Sequence, residues 1–253
     1  MGSNRYLLTE MSWPEVEEAL KTVEVGIIPV GAHEQHGPNL AESCDAVRAT
    51  EFCKLLAERL YPRILVTPTV NIGVSYHHMP FPGTITLRPE TLVAVVRDIA
   101  CSLREHGIKK MLIINAHGGN QQALGVAVTN ISQEMKDVEI AWTQYTNFST
   151  ESIAKHVKSE MFGHSCEREV SEAMYLAPHI IKKDKIEKGK IIGMPYIYSA
   201  ANGRPLGVSY TFDQVTENGA LGDATKASYE AGKDICEEAL EKIGAFLEDF
   251  MSK

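Results

Sequence analysis

Strand-like and helix-like segments alternate along this chain, and the alternation limits the possible folds more than any other feature of the sequence. Short stretches dense in apolar and β-branched residues predict strands, and each is followed by a loop and a segment with helical spacing of apolar residues. The predicted strands are Val23–Val30, Ile64–Val70, Lys110–Asn115 and Val138–Thr143. Because strands that alternate with helices form parallel sheets, we expect an α/β fold whose mainly parallel sheet is covered by helices on both faces.

Helices are predicted where apolar residues recur on one face and where start or stop signals agree. Ser12-Trp13-Pro14-Glu15 matches a capping box with proline in the first turn, and Gly107 is the expected end of a long helix. The predicted helices are Ser12–Lys21, Asp45–Leu60, Arg88–His106, Gln121–Lys136, Glu167–Leu176 and Asp223–Met251. Residues 181–215 show no clear period. Since no repeat or linker interrupts the pattern, we treat residues 1–253 as a single domain.

The amino-acid composition limits which classes of binding partner and which cellular compartment we expect. Lys and Arg number 25 and Asp and Glu 33, so the formal net charge is −8, which argues against a nucleic-acid binder. The apolar stretches are far shorter than the roughly 20 residues that a membrane-spanning helix needs. The 5 cysteines are odd in number and form no CxxC motif, a pattern typical of reduced thiols. We therefore expect a cytoplasmic protein that binds a small-molecule substrate, with neither nucleic acid nor membrane as a partner.

The first polar cluster follows the first predicted strand directly. Glu34 and His36 are two positions apart, so in an extended segment their side chains point the same way. Asp45 lies at the start of the next predicted helix, where the helix dipole keeps a carboxylate ionised. Carboxylates and imidazole are the ligands that hydrolytic Zn²⁺, Mn²⁺ or Fe²⁺ sites use. A capped turn with polar surface residues is the alternative explanation.

The second cluster, Asn115-Ala116-His117-Gly118-Gly119-Asn120, ends the third predicted strand. Open α/β sheets bind ligands beyond the carboxyl ends of their strands, so we expect His117 to lie near the first cluster. Gly118 and Gly119 allow the backbone to approach a ligand closely, although a plain strand-to-helix turn explains them as well. Neither a GxGxxG motif nor a P-loop lysine is present, which weakens a phosphate-binding interpretation.

The third cluster is Gly163-His164-Ser165-Cys166-Glu167-Arg168-Glu169. If a helix begins near Ser165, Glu167 and Glu169 point in different directions, so one faces a site while the other is solvated or paired. A capped helix with acidic surface residues is the alternative explanation for this cluster taken alone.

Taken together, these motifs resemble the creatininase (creatinine amidohydrolase) family. The resemblance rests on Glu34-Gln35-His36-Gly37-Pro38 with Asp45, on residues 115–120, on residues 163–169, and on the loop Phe81-Pro82-Gly83-Thr84-Ile85-Thr86. It implies a three-layer α/β/α sandwich and assembly into hexamers or other homo-oligomers. It also implies a centre of two divalent metal ions per subunit, with Zn²⁺ expected first and Mn²⁺ or Fe²⁺ as alternatives.

The resemblance also implies a ligand set. Glu34, Asp45 and His117 would hold one metal, and His36 and Asp45 the second, with Asp45 bridging the two. Creatininase completes its second site with a glutamate where this chain has Gly119. The stretch before Asp45 also departs from the family pattern, because it reads Ala41-Glu42-Ser43-Cys44.

The missing glutamate needs a substitute. We predict that Glu169 supplies the ligand, with Glu167 as the second choice, and we assign catalytic roles to His164 and Glu167. In the implied mechanism, two ions about 3.5 Å apart activate a bridging water that attacks a carbonyl carbon. His164, with an ordinary histidine pKa, passes a proton to the leaving nitrogen.

Substrate contacts are assigned to four residues. His78 lies in the Gly- and Pro-rich loop 71–86, Gly118 and Gly119 follow His117, and Tyr145 comes directly after the fourth predicted strand. Creatininase, by resemblance, uses tryptophans around its ligand. Here Trp13 falls in the first helix and Trp142 within a strand, which argues against creatinine itself as the substrate.

The leading hypothesis is therefore a two-metal hydrolase that opens a small cyclic amide or cleaves a formamide. The resemblance also implies family members that hydrolyse carbon–carbon bonds in cyclic diketones derived from inositol. A ligand-binding protein that keeps the fold without catalysis is the hypothesis of a different class. Metal content separates the two classes, because the enzyme needs two bound ions.

Overall fold

The structure is a computed structural model that describes residues 6–195 and 208–253. Its strands are β1 (Val25–Val30), β2 (Ile64–Val66), β3 (Lys110–Asn115) and β4 (Glu139–Gln144). Within the described residues they form one four-stranded sheet in the order β2-β1-β3-β4, and every pairing is parallel. The mainly parallel sheet predicted from the sequence is confirmed.

Helices cover both faces of this sheet. They are α1 (Trp13–Ala19), α2 (Cys44–Leu60), α3 (Pro89–Glu105), α4 (Gln121–Glu134), α5 (Thr150–His156), α6 (Glu167–Leu176) and α7 (Tyr229–Ser252). Ile27 of β1 shares a core cluster with Phe52 of α2, whereas its neighbour Ile28 belongs to the cluster that contains Leu124 of α4. Because successive strand residues point to opposite faces, this alternation produces a three-layer α/β/α sandwich.

Several element boundaries differ from the sequence prediction. β2 ends at Val66 rather than at residue 70, because Pro68 has no N–H to donate to the ladder, and Val70 keeps a single bridge to Val30. α7 begins at Tyr229, where the side chain of Ser228 accepts a hydrogen bond from the first turn. Residues 181–195 and 208–215 contain short 3₁₀ turns, in agreement with the missing period.

The short helix α5 was not predicted. It has seven residues, too few to be stable on local propensity alone. A tertiary contact holds it, since Glu238 of α7 accepts a hydrogen bond from the backbone N–H of Ser152 in its first turn. In the described part of the chain, no helix is both long enough and apolar enough to cross a membrane.

The strand register decides where the polar loops meet. Val30 pairs with Asn115, and Asn115 pairs with Gln144. The loops that follow β1, β3 and β4 therefore leave the sheet at one edge, as expected for a binding site of an open parallel sheet.

Candidate metal centre

A close approach of α2 to the end of β1 brings the first polar cluster into one place. A Cβ atom on Gly31 would lie 2.4 Å from the Cα of Ala46, so only glycine allows the start of α2 to pack here. This packing sets Asp45, in the first turn of α2, beside the loop that carries Glu34 and His36.

One group of donor atoms comes from Glu34, Asp45 and His117. The Nδ1 atom of His117 lies 3.2 Å from Oε1 of Glu34 and 3.2 Å from Oδ2 of Asp45. All three side chains are buried. Carboxylate oxygens and imidazole nitrogen at this spacing are suited to one zinc-like ion.

A second group of donor atoms surrounds His36. Its Nε2 atom lies 3.3 Å from Oδ1 of Asp45 and 3.8 Å from Oε2 of Glu169. Asp45 therefore turns one carboxylate oxygen to each group. A carboxylate shared in this way is what a bridging ligand between two metal ions requires.

Backbone carbonyls determine which nitrogen of each histidine faces the carboxylates. His36 Nδ1 lies 3.0 Å from the carbonyl oxygen of Glu34, and His117 Nε2 lies 3.0 Å from that of Val74. Because a carbonyl only accepts, these nitrogens carry the hydrogen and donate it. In the neutral rings, the lone pairs of His36 Nε2 and His117 Nδ1 are thus turned toward the cluster, as metal binding needs.

Three buried acceptor atoms of the cluster lack a hydrogen-bond partner among residues 6–195 and 208–253. They are Oε2 of Glu34, Nε2 of His36 and Oδ2 of Asp45. Buried polar atoms are nearly always paired, so each exception needs a physical explanation. Acceptors cannot satisfy one another, whereas a cation satisfies all of them. The donor set therefore fits divalent metal ions.

Protons compete with metal ions for the same lone pairs. Burial lowers the pKa of His117, but the carboxylates of Glu34 and Asp45 outweigh it, and the net effect raises that pKa well above its usual range. Burial likewise opposes the charged form of His36, but Cys44 and Asp45 outweigh it and raise its pKa. Metal binding must therefore displace protons, and metal affinity should fall in acid.

A buried arginine balances the carboxylates of the centre. Arg48 is fully buried, and its Nη2 donates to Oδ1 of Asp45 at 2.6 Å and to Oε1 of Glu169 at 2.8 Å. Its Nη1 donates to Oε2 of Glu172 at 2.6 Å. Burial alone would raise the pKa of Glu169, but Arg48 and Arg168 outweigh it and lower that pKa to about 2. Glu169 is therefore ionised, with Oε2 directed toward the second group.

Gln35 orients two further histidines. Its Oε1 accepts from the N–H of Gly37, so its Nε2 is the donor that lies 2.8 Å from Nδ1 of His78. His78 must then carry its hydrogen on Nε2, which lies 3.3 Å from Oε1 of Glu34. His164 Nε2 lies 2.7 Å from the carbonyl oxygen of Gln35 and donates there, which leaves Nδ1 as an acceptor 3.7 Å from Glu34. His78 thus orients the candidate ligand Glu34, and His164 offers an acceptor nitrogen.

The loop that carries His164 has strained backbone. Ser165 has a φ angle of 51°, which is uncommon for a residue with a side chain and is found preferentially at functional sites. Its N–H donates to Oε2 of Glu169 at 2.6 Å, and its hydroxyl donates to the carbonyl oxygen of His36 at 2.5 Å. Burial, reinforced by His36, lowers the pKa of His164 to about 3, so the ring is neutral at pH 7 and does not have the ordinary histidine pKa expected from the sequence.

Gly118 and Gly119 both line the cavity but differ in their surroundings. A Cβ atom on Gly119 would lie 2.2 Å from the carbonyl oxygen of Val74 and 2.4 Å from Nε2 of His117. The same atom on Gly118 would meet nothing within 4 Å. Position 119 therefore has no room for a glutamate, and Glu169 is the carboxylate that the structure brings to the second group.

Two residues assigned to the site from the sequence lie elsewhere. Glu167 accepts hydrogen bonds from the N–H groups of Ser159 and Asp223, both at 2.9 Å, so its carboxylate joins two loops and does not face the centre. Tyr145 is fully buried in the core, and its hydroxyl donates to Glu172. The structure therefore corrects the catalytic assignment of Glu167 and the substrate-binding assignment of Tyr145.

The metal centre opens into a cavity of about 900 Å³. His77, His78, Gly118 and Gly119 line it near the centre. The wall beyond them carries neutral amides and hydroxyls, contributed by Gln121, Gln144, Thr146, Asn147 and Thr150. Arg168 also lines the cavity, but its charge is paired with Glu169 and Glu172, so the wall suits a neutral polar substrate.

A chain of amides fixes the orientation of Gln144. Asn120 Oδ1 accepts from the N–H of Val74, so Asn120 Nδ2 is the donor to Oδ1 of Asn115. Asn115 Nδ2 donates in turn to Oε1 of Gln144 at 2.6 Å. Gln144 lines the cavity, and its Nε2 is left there as a hydrogen-bond donor.

Arg48, Gln35 and Gln144 were not identified from the sequence. Arg48 carried a detectable signal, since it is a charged residue one turn before Phe52 on the apolar face of α2. Gln35 sits between two ligand residues, where alternation turns it to the opposite side, and nothing in its spacing reveals its bond to His78.

Comparisons with known proteins identify the family of this chain. The profile of the creatininase family, described as creatinine amidohydrolase, matches residues 9–247. Creatinine amidohydrolase of Pseudomonas putida is 26% identical over 98% of this chain and 98% of its own length. A mycofactocin precursor peptide peptidase of Mycobacterium ulcerans (strain Agy99) is 26% identical over 95% of this chain and 87% of its own. The 3-dehydro-scyllo-inosose hydrolase of Thermotoga maritima is 24% identical over 96% of this chain and 83% of its own.

Solved structures give the same result for the fold. A creatininase mutant of Zn–Zn type superposes with a TM-score of 0.84 at 25% identity and covers 100% of both chains. A structure described as creatininase Mn has a TM-score of 0.79 at 24% identity and covers 98% of this chain and 99% of its own. Because the family profile spans the sheet and every donor residue described above, the chain belongs to the creatininase family.

Proposed function

We propose that this protein is a metal-dependent amidohydrolase that uses two divalent ions per subunit. The arrangement of Asp45 carries the proposal, because its two oxygens face two separate groups of donor atoms. Glu34 and His117 complete the first group, and His36 and Glu169 complete the second. Zn²⁺ is the ion that this mixture of imidazole and carboxylate suits first, with Mn²⁺ as the alternative.

Bound at these positions, two divalent ions would polarise a substrate carbonyl and supply a nucleophile at neutral pH. The protein holds the ligands in place through Arg48, which fixes Asp45 and Glu169, and through His78, which fixes Glu34. His164 offers Nδ1 as a proton acceptor beside Glu34. In an amide hydrolysis this nitrogen would take a proton and then deliver it to the leaving nitrogen.

The cavity favours a substrate larger than a single small ring. Its volume of about 900 Å³ lies near the upper end of the roughly 300–1,000 Å³ typical of small-molecule sites. The donor on Gln144 suits a carbonyl or hydroxyl oxygen of a neutral substrate. Neither Trp13, which is exposed, nor Trp142, which packs in the core, lines the cavity. Creatinine is therefore not our first candidate among cyclic amides and formamides.

A second candidate is the amide bond of a peptide. The cavity volume of about 900 Å³ gives room for residues on one side of a scissile bond. The similarity to mycofactocin precursor peptide peptidases supports the same substrate class. Both candidate substrates are cleaved at a C–N bond, and they differ only in the part of the substrate that contacts the polar wall of the cavity.

The test is a substrate panel presented to the Zn²⁺- and Mn²⁺-loaded enzyme. The panel contains cyclic amides, formamides, short peptides and a cyclic diketone, the last because the carbon–carbon hydrolase hypothesis predicts it. We expect turnover of a C–N substrate, and we expect His164→Gln to lower the rate by about 10²–10⁴ with metal content unchanged. Turnover of the diketone alone would replace the amidohydrolase proposal. No turnover of any panel member by a fully loaded enzyme would contradict the amidohydrolase proposal.

A further inference from the structure

The carboxylate oxygens of the second group of donor atoms already accept hydrogen bonds from other residues. Oδ1 of Asp45 already accepts from Arg48, and Oε2 of Glu169 already accepts from the N–H of Ser165. The other Glu169 oxygen is held by Arg48 and Arg168. A metal ion at His36 would therefore find two carboxylates whose charge is largely neutralised by arginine.

Cys44 lies at this position, with its sulfur facing His36. It is the first residue of α2 and has no exposed surface. Its Sγ, a nitrogen of His36 and a carboxylate oxygen of Asp45 all lie within 4.8 Å of one another. In tetrahedral geometry, metal bonds of about 2.0 Å to nitrogen and 2.3 Å to sulfur place two donors on one ion roughly 3.5 Å apart. A closure of at most roughly 1.3 Å therefore lets all three share an ion.

A second feature points to a ligand here independently of the cysteine. His36 donates through Nδ1 to a backbone carbonyl, which leaves Nε2 fully buried and without a hydrogen-bond partner among the described residues. An unpartnered imidazole nitrogen directed at a buried thiol and a carboxylate is a mixed nitrogen, sulfur and oxygen donor set.

We propose that Cys44 is a ligand of the second metal ion and binds it as a thiolate. This inference rests on the two-metal centre proposed above and adds a ligand to it. A thiolate is a soft donor, so this position should prefer Zn²⁺ or Co²⁺ over Mn²⁺, whereas the position at Glu34 and His117 has only nitrogen and oxygen donors. The two positions of the centre would thus differ in metal preference.

The competing explanation is that Cys44 is a small core residue. Leu40, Val170 and Ala173 belong to the same apolar cluster, and a buried thiol packs well there. Cys166 provides a matched control, because it is also buried and lies near the centre but is not part of a donor group within the described residues.

Titration of the metal-free protein with Co²⁺ separates these explanations without an activity assay. We expect the wild type to develop a sulfur-to-cobalt charge-transfer band in the near ultraviolet, and Cys166→Ser to develop the same band. Cys44→Ser should bind Co²⁺ without the band. Zn²⁺ affinity at one position should fall by at least about tenfold in Cys44→Ser, since even outer partners of metal ligands contribute roughly 10–100-fold.

Wild-type protein that binds two Co²⁺ ions without the band would overturn the role of Cys44 and leave the two-metal centre intact. A band that persists in Cys44→Ser would also overturn it. Wild-type protein that binds no Co²⁺ would overturn both proposals. If Cys44→Ser does not fold, X-ray absorption of the Zn²⁺-loaded wild type decides, because the proposal requires a sulfur neighbour at about 2.3 Å.

Discussion

Replacing Arg48 with methionine should destabilise the protein more than any exposed ion-pair change. Methionine keeps most of the side-chain volume but removes the charge that Asp45, Glu169 and Glu172 share. Arg168 still contacts Glu169 at 3.3 Å and Glu172 at 3.0 Å. Asp45 has no such second arginine among the described residues, so it then depends for positive charge on His36 and His117, which lie 3.3 Å and 3.2 Å away.

The size of the effect follows from burial. Removing one partner of a buried ion pair costs about 3–5 kcal/mol, because the other charge is left buried and unpaired. For a chain of this size, 1 kcal/mol shifts Tm by about 2–4 °C, so the expected fall in Tm is roughly 6–20 °C. A divalent ion beside Asp45 restores positive charge, and Zn²⁺ should therefore raise Tm more in Arg48→Met than in the wild type.

The assay is thermal unfolding followed by circular dichroism, with and without Zn²⁺. Arg63→Met is the matched control, since Arg63 also contacts two carboxylates, at 2.6 Å each, but does so at the surface. We expect that control to change Tm little, because exposed ion pairs contribute little net stability. If Arg48→Met melts within about 2 °C of the wild type, which is less than about 1 kcal/mol, the buried network does not stabilise the centre as described.

Two further variants test other parts of the structure. Gly119→Ala should lower the free energy of unfolding by about 1–3 kcal/mol, because its Cβ would lie 2.2 Å from the carbonyl oxygen of Val74. Gly118→Ala is the control, because a Cβ there has open space. Equal stability of the two variants in urea unfolding would contradict this expectation. Glu238 should stabilise the fold in a pH-dependent way. Burial raises the pKa of this carboxyl, but Lys242 and backbone N–H groups outweigh burial and lower the pKa to about 2, below the unfolded value near 4.5. The stabilisation by Glu238 is therefore complete above about pH 4.5 and is lost as the pH falls toward 2. The urea midpoints of wild type and Glu238→Gln should converge over that range. A constant difference between them would show that the carboxylate charge is not responsible.

The sheet and the proximity of the donor residues could be predicted because each left a local pattern. Apolar runs that end in polar clusters located β1 and β3, and the shared edge of a parallel sheet then placed His117 near Asp45. β2 was predicted too long because apolar content outweighed Pro68 in the prediction, whereas the ladder depends on N–H donors.

The two errors at the site, at Tyr145 and Glu167, have different causes. β4 runs to Gln144, one residue beyond the predicted end, and alternation then turns Gln144 to the cavity and Tyr145 into the core. α6 begins at Glu167, as predicted, but tertiary N–H donors hold that carboxylate away from the centre. Sequence spacing could not decide between Glu167 and Glu169 because it does not contain the distant partners that orient each side chain.

The measurement that tests the central claim most directly is metal content per chain by elemental analysis, after incubation with Zn²⁺ and removal of excess ion. Wild type and Asp45→Ala are compared in parallel, because Asp45 faces both groups of donor atoms. The account predicts about two ions in the wild type and close to none in the variant. A wild type without bound metal, or an Asp45→Ala variant that keeps both ions, would contradict it.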